Sequence, residues 1–293
     1  MSQNVPTHYV QQYRGTLDLL LQQKQSIMRG LVTEAPYKGK AAAPVDQVGS
    51  LTARRVTTRY PVIGHMDVPT DRRWVYPLDS EVPILIDHFD TLRLMSDPKN
   101  AYTMAVHAAA NREIDDIIIP AFFADAKTGQ EGGTTTSFPA ANQISVDLGG
   151  TASGLNVKKI KRGKRRLREN LVDPSEPIYC AVSAEQMENL MDEVQATSGD
   201  FVRGRPMEEG EIKYFYGTNF VITERLKTDA SGYRRVPMWV KSGMHLGVWE
   251  NIVTDMSQRK DLSGLPWQVY TYFTFGATRL EENKTIEIPC AEA

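Results

Sequence analysis

Apolar residues recur at helical spacing in four stretches of the chain. The first, residues 10–31, carries them along one face and is rich in Gln and Lys on the other, which predicts an amphipathic helix. The second begins at Asp97, a suitable helix cap, and continues with Pro98, which fits the first helical position. Because proline interrupts helical hydrogen bonding, we expect this second helix to end at Pro120.

The third stretch, residues 156–171, combines a narrow apolar stripe with a dense run of cations, and Asn156 is a suitable cap for it. Gly163 lies on the apolar side and costs about 1 kcal/mol of helix stability relative to Ala. The fourth stretch, residues 183–194, opens with a capping box of Ser183 and Gln186. The apolar stripe of the third helix consists of Val157, Ile160, Leu167 and Leu171.

Residues 33–83 follow a different pattern, because they mix β-branched residues, Arg and Pro without an apolar stripe of helix length. This pattern predicts long extended strands or a hairpin with little hydrophobic core of its own. A charged hairpin of this kind gains stability by lying against something else. Residues 127–154, rich in Gly and Thr, are expected to form a mobile loop or an extended connection.

The C-terminal third is rich in strand-type sequence. Segments beginning YFYG, MHLG, WQVY and KTIE read as strands broken by Gly, Asn and Pro. A short apolar segment, PIYCAV, precedes the fourth predicted helix and is typical of a buried strand. Because strands and helices do not alternate regularly along the chain, the predicted fold class is α+β.

The composition is that of a folded globular protein. Its 293 residues, 41% hydrophobic and 24% charged, suffice for one large or two modest domains. No apolar run approaches the roughly 20 residues that cross a membrane, and the N-terminus lacks the pattern of a secretion signal. Cys180 and Cys290 are far apart, so we expect neither a disulfide framework nor a zinc site, and synthesis in a reducing cytoplasm.

Charge is balanced over the chain but concentrated in one place. The 34 Lys and Arg against 36 Asp and Glu give a net charge of −2, yet eight cations lie within the eleven residues 158–168. A patch of this kind attracts polyanions, although most charge runs are hydrated surface. We expect all eight on the exposed surface of the third helix: Lys158, Lys159, Lys161, Arg162, Lys164, Arg165, Arg166 and Arg168.

Candidate catalytic and metal-binding residues are few and poorly spaced. His65, Asp67 and Asp71 cluster in sequence but match no metal-binding pattern. The Thr-rich segment GTTTSFP lacks the Lys-Ser/Thr of a phosphate-binding loop, and no nucleophile or zinc-protease motif occurs. We therefore expect no enzyme activity, no catalytic residue, no metal and no cofactor.

Three segments, in their order, resemble the major capsid proteins of tailed bacteriophages, which share the Hong Kong 97-type fold. The segment from PTDRRWVY to SDPKNAY resembles one in which Arg-Arg-Trp precedes Leu-Ile-Asp and Asp-Pro. The segment from GLNVKKIK to EQMENLM resembles the spine helix and the entry into the axial domain. The segment from VWENIV to EIPC resembles the closing peripheral strands, with a Gly-Ala-x-Arg turn near the end.

The resemblance implies an organisation into an arm, a hairpin and two domains. The chain starts almost directly with the arm, which implies a separate scaffolding protein or assembly without one. The implied segments are an N-terminal arm (1–36), an extended hairpin or E-loop region (37–84), a peripheral domain (85–176) including the spine helix (156–171), an axial domain (177–246), and returning peripheral-domain strands with the C-terminal tail (247–293).

As a major capsid protein, the chain is expected to self-assemble into hexamers and pentamers of an icosahedral head enclosing double-stranded DNA. The implied partners are copies of itself, DNA bound without sequence specificity, a portal, and separate scaffolding or decoration proteins, with no membrane. The location is the virion, after assembly in the host cytoplasm. Intersubunit contacts are expected from the hairpin residues Arg54, Arg55, Arg59, Arg72, Arg73 and Trp74.

The role of the basic helix remains open between two interpretations. The spine helix of this fold lies toward the inner surface, so its cations are expected to face packaged DNA or the lumen. They could instead pair with carboxylates of a neighbouring subunit, such as Glu208, Glu209 and Glu211. Two other functions compete with the phage head: an encapsulin-like nanocompartment shell, which holds protein cargo, and a nucleic-acid-binding protein.

Overall fold

The computed structural model describes residues 22–49, 51–59, 63–86, 99–148, 150–193 and 212–292. Three α-helices lie within these residues: α1 (Lys99–Ala121), α2 (Val157–Glu169) and α3 (Ala184–Met191). Their strands are β1 (Thr33–Pro36), β2 (Ala42–Val48), β3 (Thr70–Val75), β4 (Leu78–Ile86), β5 (Ala126–Thr128), β6 (Thr134–Thr136), β7 (Ile178–Val182), β8 (Tyr214–Phe215), β9 (Thr218–Ile222), β10 (Arg234–Val240), β11 (Met244–Gln258), β12 (Trp267–Arg279) and β13 (Thr285–Cys290).

The described residues divide into two compact units. The smaller comprises residues 22–25, 80–86, 99–112 and 252–273, and the larger comprises the remainder. In the smaller unit, Ile86, Val106 and Val269 form a buried apolar cluster. The mixture of sheets and helices confirms the predicted α+β class, while the five predicted segments, whose boundaries differ from this division, stay a prediction.

A five-stranded mixed sheet, in the order β13-β10-β7-β9-β8, forms the centre of the larger unit. Strand β10 runs antiparallel to β13 and β7, whereas β7 and β9 are parallel. The β10 side chains Met238, Trp239 and Val240 are completely buried. Strand β13 forms one edge of this sheet, beside β10.

The predicted hairpin is present at its root. Strands β2 and β3 pair antiparallel, and β3 also pairs antiparallel with β5, which forms a short hairpin with β6. Beyond the root, residues 51–59 and 63–69, here named the hairpin arm, are exposed throughout and form no strand. Residues 127–154, expected as a mobile loop or extended connection, contain the β5–β6 hairpin, whose β5 strand pairs with β3.

A third sheet has the order β1-β11-β12-β4, and β1 lies parallel to β11. Two of its members, β11 and β12, are 15 and 13 residues long and pass through both units. The long C-terminal strands predicted from the sequence are therefore present. None of the helices in the described ranges is long and apolar enough to span a membrane.

The helix predicted over residues 10–31 is wrong from residue 22 onward, and its first part lies outside the described residues. From residue 22, only Arg29–Leu31 forms a short 3-10 helix. The reason is Asp115 on α1, whose carboxylate accepts hydrogen bonds from the backbone amides of Ile27 and Met28, both at 3.1 Å. Ser26 Oγ donates to the same carboxylate at 2.5 Å. These contacts hold the segment against α1 in a non-helical conformation.

Candidate nucleic-acid and assembly surfaces

The basic helix α2 begins where its cap was predicted. Asn156 has extended backbone angles, and its Oδ1 accepts a hydrogen bond from the Lys159 amide at 2.8 Å. Asn156 Nδ2 donates to Ser153 Oγ at 3.2 Å, which orients the amide. The side chain therefore satisfies one of the amides that every helix start leaves unpaired.

The buried face of α2 packs on the central sheet through the predicted stripe. Val157, Ile160 and Leu167 are buried, and Gly163 lies among them. A Cβ atom at Gly163 would lie 3.0 Å from Met238 Sδ and 3.4 Å from Ile144 Cδ1. Glycine thus permits a close approach between helix and sheet. The prediction that Leu171 belongs to this stripe is wrong, because Leu171 lies beyond the end of the helix with a φ of 60° and is 90% exposed.

Lys159 contradicts the expectation that all eight cations lie on the surface. Its side chain is fully buried, and Nζ donates to the carbonyls of Ser153 at 2.6 Å and Pro289 at 2.9 Å. Burial lowers the pKa of Lys159, while Cys290 and Asp147 oppose that shift. Lys159 therefore anchors α2 to the C-terminal strand and is unavailable to DNA or to a neighbouring subunit.

Lys164 is also held within the chain, by the turn between β8 and β9. That turn consists of Tyr216 and Gly217, both with positive φ, as two-residue hairpin turns of this kind require. Lys164 Nζ donates to Tyr216 O at 2.6 Å and lies 4.7 Å from the centre of its ring. Partial burial, with a smaller contribution from Arg168, lowers the pKa of Lys164.

Three arginines near the end of α2 have intrachain partners. Arg165 Nε lies 2.7 Å from Glu169 Oε1, and Arg166 Nη1 lies 3.4 Å from Glu169 Oε2. The hydrogen bond from Arg165 is the main cause of the lowered pKa of Glu169. Arg168 donates to the carbonyls of Val172 and Pro174, which lie just beyond the helix. These contacts reduce the charge that the helix presents to a polyanion.

Four cations of α2 are exposed and lie along one stripe of the helix, and this set is named the basic stripe. Lys158 and Arg162 make no hydrogen bond or ion pair with any other residue that the structure describes. Lys161 Nζ lies 5.9 Å from the Tyr216 ring centre. At about 1.5 Å of rise per residue, the stripe is about 10 Å long. Its members are Lys158, Lys161, Arg162 and Arg165.

At the root of the hairpin, the three predicted intersubunit residues have partners within the subunit. Arg72 binds both oxygens of Asp46, at 2.6 and 3.1 Å, and its hydrogen bond is the main cause of the lowered pKa of Asp46. Trp74 Nε1 donates to Gly129 O at 2.8 Å. Arg73 is 4% exposed and hence removed from any surface. An intersubunit role for these residues stays a prediction, against which their intrachain contacts weigh.

The hairpin arm carries the exposed part of the predicted assembly surface. Arg54, Arg55 and Arg59 are exposed, and within the described residues none of them forms a hydrogen bond or an ion pair. Glu208, Glu209 and Glu211, the predicted intersubunit carboxylates, lie outside the described residues. The arm also exposes large apolar side chains: Leu51, Val56, Ile63, Met66 and Val68.

Several residues that support these surfaces have no recognisable signal in the sequence. They are Tyr216, which holds Lys164, and the ion pair of Arg279 and Glu282, although the Gly-Ala-x-Arg segment contains Arg279. That segment lies within β12 and forms no turn, and a Cβ at Gly276 would come within 2.1 Å of Tyr76 O. Across the described ranges, no group of three His, Cys, Asp or Glu residues is placed to hold a metal ion.

The described residues therefore present a basic stripe on α2 and an exposed hairpin arm that carries arginines and apolar side chains. The sequence matches the family model described as phage capsid protein over residues 5–292. The chain belongs to the phage capsid protein family. Its family and fold are those of a structural capsid protein, and neither the nanocompartment shell nor the nucleic-acid-binding protein is favoured.

Solved capsid structures share the fold of this capsid protein at low sequence identity. The capsid of Cyanophage P-SCSP1u gives a TM-score of 0.76 at 14% identity, covering 98% of this chain and 94% of that one. The capsid of Ralstonia phage GP4 gives a TM-score of 0.75 at 11% identity, covering 100% of this chain and 99% of that one. The capsid of Cyanophage Pam1 gives a TM-score of 0.75 at 12% identity, covering 99% of this chain and 98% of that one. No match was found among the curated proteins.

Proposed function

We propose that this capsid protein assembles with copies of itself into hexamers and pentamers of an icosahedral phage head, in the host cytoplasm, and has no catalytic activity. The observation that carries the proposal is the hairpin arm. Its apolar side chains, such as Val56 at 70% and Ile63 at 85% exposure, have no core within the subunit. A second subunit that covers them gains about 25 cal/mol for each Å² of apolar surface removed from water.

The arginines of the arm give this contact its specificity. Arg54, Arg55 and Arg59 present guanidinium groups that suit bidentate contact with carboxylates of a neighbouring subunit. A contact between the arm of one subunit and a different surface of the next is heterologous, and such contacts close into rings when the rotation permits. Hexamers and pentamers are rings of this kind.

A charge-reversed variant tests the assembly role of the arm. We expect Arg54→Glu combined with Arg55→Glu to prevent assembly while leaving the circular dichroism of the soluble subunit unchanged, because both side chains are exposed. The matched control is Lys38→Glu with Lys40→Glu, two exposed cations outside the arm. Assembly is read by sedimentation and electron microscopy. Full assembly of the arm variant would refute this role.

The second part of the proposal is that the basic stripe faces packaged double-stranded DNA. Cations at this spacing contact phosphates without reading bases. A stripe about 10 Å long covers about three phosphates of one strand, at about 3.4 Å of helix axis each. Within the described residues, the exposed cations of the sequence run are those of the basic stripe, so each subunit contributes a weak, sequence-independent interaction that is multiplied over the shell.

The DNA contact is tested with Lys158→Gln combined with Arg162→Gln, the two stripe residues without partners in the described structure. Losing two phosphate contacts is expected to reduce the slope of log K against log salt by about 2 for duplex DNA. Lys38→Gln with Lys40→Gln removes the same charge elsewhere and is expected to leave the slope unchanged. Empty-shell yield is measured in parallel.

The two interpretations of the basic helix give opposite results in that experiment. If the stripe faces DNA, shell assembly without nucleic acid remains near the wild-type yield and DNA retention falls. If the stripe instead pairs with a neighbour's carboxylates, assembly without nucleic acid fails first. A portal and separate scaffolding or decoration proteins complete the proposed set of partners, and co-expression with candidate scaffolding proteins tests whether they raise the yield of closed shells.

A further inference from the structure

A buried polar junction joins the root of the hairpin to the end of β12. Arg73 on β3 donates from Nη2 to Glu282 Oε2 at 2.7 Å. Arg279 on β12 is completely buried, and its Nη1 donates to the carbonyls of Phe122 at 2.8 Å and Ala124 at 2.9 Å. Arg279 Nη2 lies 3.6 Å from Glu282 Oε1. Two guanidinium groups therefore share one carboxylate inside the protein, and Arg73, Arg279 and Glu282 are named the arginine junction.

Three polar atoms of the arginine junction lack a hydrogen-bond partner. Arg73 Nη1, Arg279 Nε and Glu282 Oε1 have almost no solvent-accessible surface and no partner in the described structure. Leaving a buried donor or acceptor unsatisfied destabilises the fold, and buried polar atoms in native proteins are nearly always paired. The direct contacts of the junction therefore do not complete its hydrogen bonding.

The chemistry of the three atoms specifies what completes it. Arg73 Nη1 and Arg279 Nε require an acceptor, and Glu282 Oε1 requires a donor. An inorganic anion would satisfy the two donors but would be repelled by Glu282, and a metal cation would be repelled by both guanidinium groups. A water molecule accepts two hydrogen bonds and donates one, and buried waters typically make about three.

We propose that the arginine junction is a binding site for one buried water molecule, which accepts from Arg73 Nη1 and Arg279 Nε and donates to Glu282 Oε1. The water links the hairpin root to β12 and, through Arg279, to the segment that follows α1. The neighbouring contacts support a fixed junction, since Arg73 Nε also approaches Gln47 Oε1 on β2 at 3.5 Å, and the Phe138 ring centre lies 5.2 Å from Arg279 Cζ.

A structure of the assembled shell, at a resolution that shows ordered waters, tests the proposal. We expect one density peak within about 2.7–3.2 Å of all three atoms. The pair of Arg235 and Glu287 serves as an internal control, because both oxygens of Glu287 already accept from Arg235 and no bridging peak is expected there. An empty site, a larger peak that identifies an anion, or direct pairing of the three atoms with protein groups would each overturn the proposal.

Discussion

The substitution Glu282→Gln tests how strongly a carboxylate with 18% side-chain exposure is held between two buried cations. In the wild type, Glu282 is the carboxylate that both Arg73 and Arg279 approach, and their side chains are 5% and 0% exposed. The substitution leaves both guanidinium groups buried without a neutralising partner. Removing one partner of a buried ion pair costs about 3–5 kcal/mol of folding free energy, and we expect a loss in that range.

Glu287→Gln is the matched control for this experiment. Glu287 is more deeply buried, at 2% side-chain exposure against 18% for Glu282, and it also binds an arginine through both oxygens. The Arg235 side chain, however, is 31% exposed and can reach water when its partner is lost. Losing hydrogen bonds to a charged group costs about 1.5–3 kcal/mol. We therefore expect Glu282→Gln to destabilise the subunit by about 1–2 kcal/mol more than Glu287→Gln does.

Urea unfolding of the soluble subunit, followed by tryptophan fluorescence, measures both losses, provided that the m-value stays constant. Hydrogen exchange locates them: Glu282→Gln is expected to speed exchange in β2 and β3, and Glu287→Gln in β10 and β13. A loss for Glu282→Gln no larger than for Glu287→Gln would show that the carboxylate is not held between two buried cations. Equal exchange in β2 and β3 for both variants would contradict the role of Glu282 at the hairpin root.

Three further outcomes follow from single residues. Asn156→Ala removes the cap of α2 and is expected to cost about 1 kcal/mol in urea unfolding, with Asn156→Asp close to wild type; equal losses for both would contradict capping. Gly163→Val overfills the contact between α2 and the sheet and is expected to lower the free energy of unfolding by about 1–3 kcal/mol, measured by thermal unfolding. An unchanged free energy would show that the sheet moves to accommodate the larger side chain. Burial lowers the pKa of His245 from 6.5 to about 4. We therefore expect the contribution of His245 to stability to be full above about pH 6.5 and to fall by on the order of 3 kcal/mol toward pH 4. In acid unfolding, His245→Gln should reduce the dependence of stability on pH over this interval, and an unchanged dependence would assign it to other groups.

Local patterns predicted the parts of the fold that local chemistry decides. The cap of α2, the packing of Val157, Ile160 and Leu167, and the root of the hairpin all follow from residues near one another in sequence. Residues 22–28 do not, because Asp115 binds their amides from a distant helix, and no periodicity in the segment itself reveals that competitor. Strand β13 was recognised as a strand, but its sheet depends on β10, which lies far from it in sequence.

The sequence predicted which residue types the candidate surfaces contain, but only partly where their side chains lie. A lysine within a cationic run is expected to lie on the surface. Nothing in the sequence shows that the Lys159 side chain points inward and binds two backbone carbonyls. Likewise, Arg72, Arg73 and Trp74 have the residue types of an interface, yet partners distant in sequence engage them within the subunit. Sequence composition identifies residues able to bind a partner, whereas tertiary structure decides which of them remain free.

The position of β13 at the edge of the central sheet has a consequence for synthesis. Strand β10 leaves the ribosome before β13, and at about 5–20 residues per second the delay is several seconds. During that time β10 lacks this neighbour, and Lys159 lacks the Pro289 carbonyl that it will bind. The nascent chain therefore exposes an unpaired strand edge and an incompletely anchored basic helix until β13 emerges, and a chaperone or a polyanion would meet it in this interval.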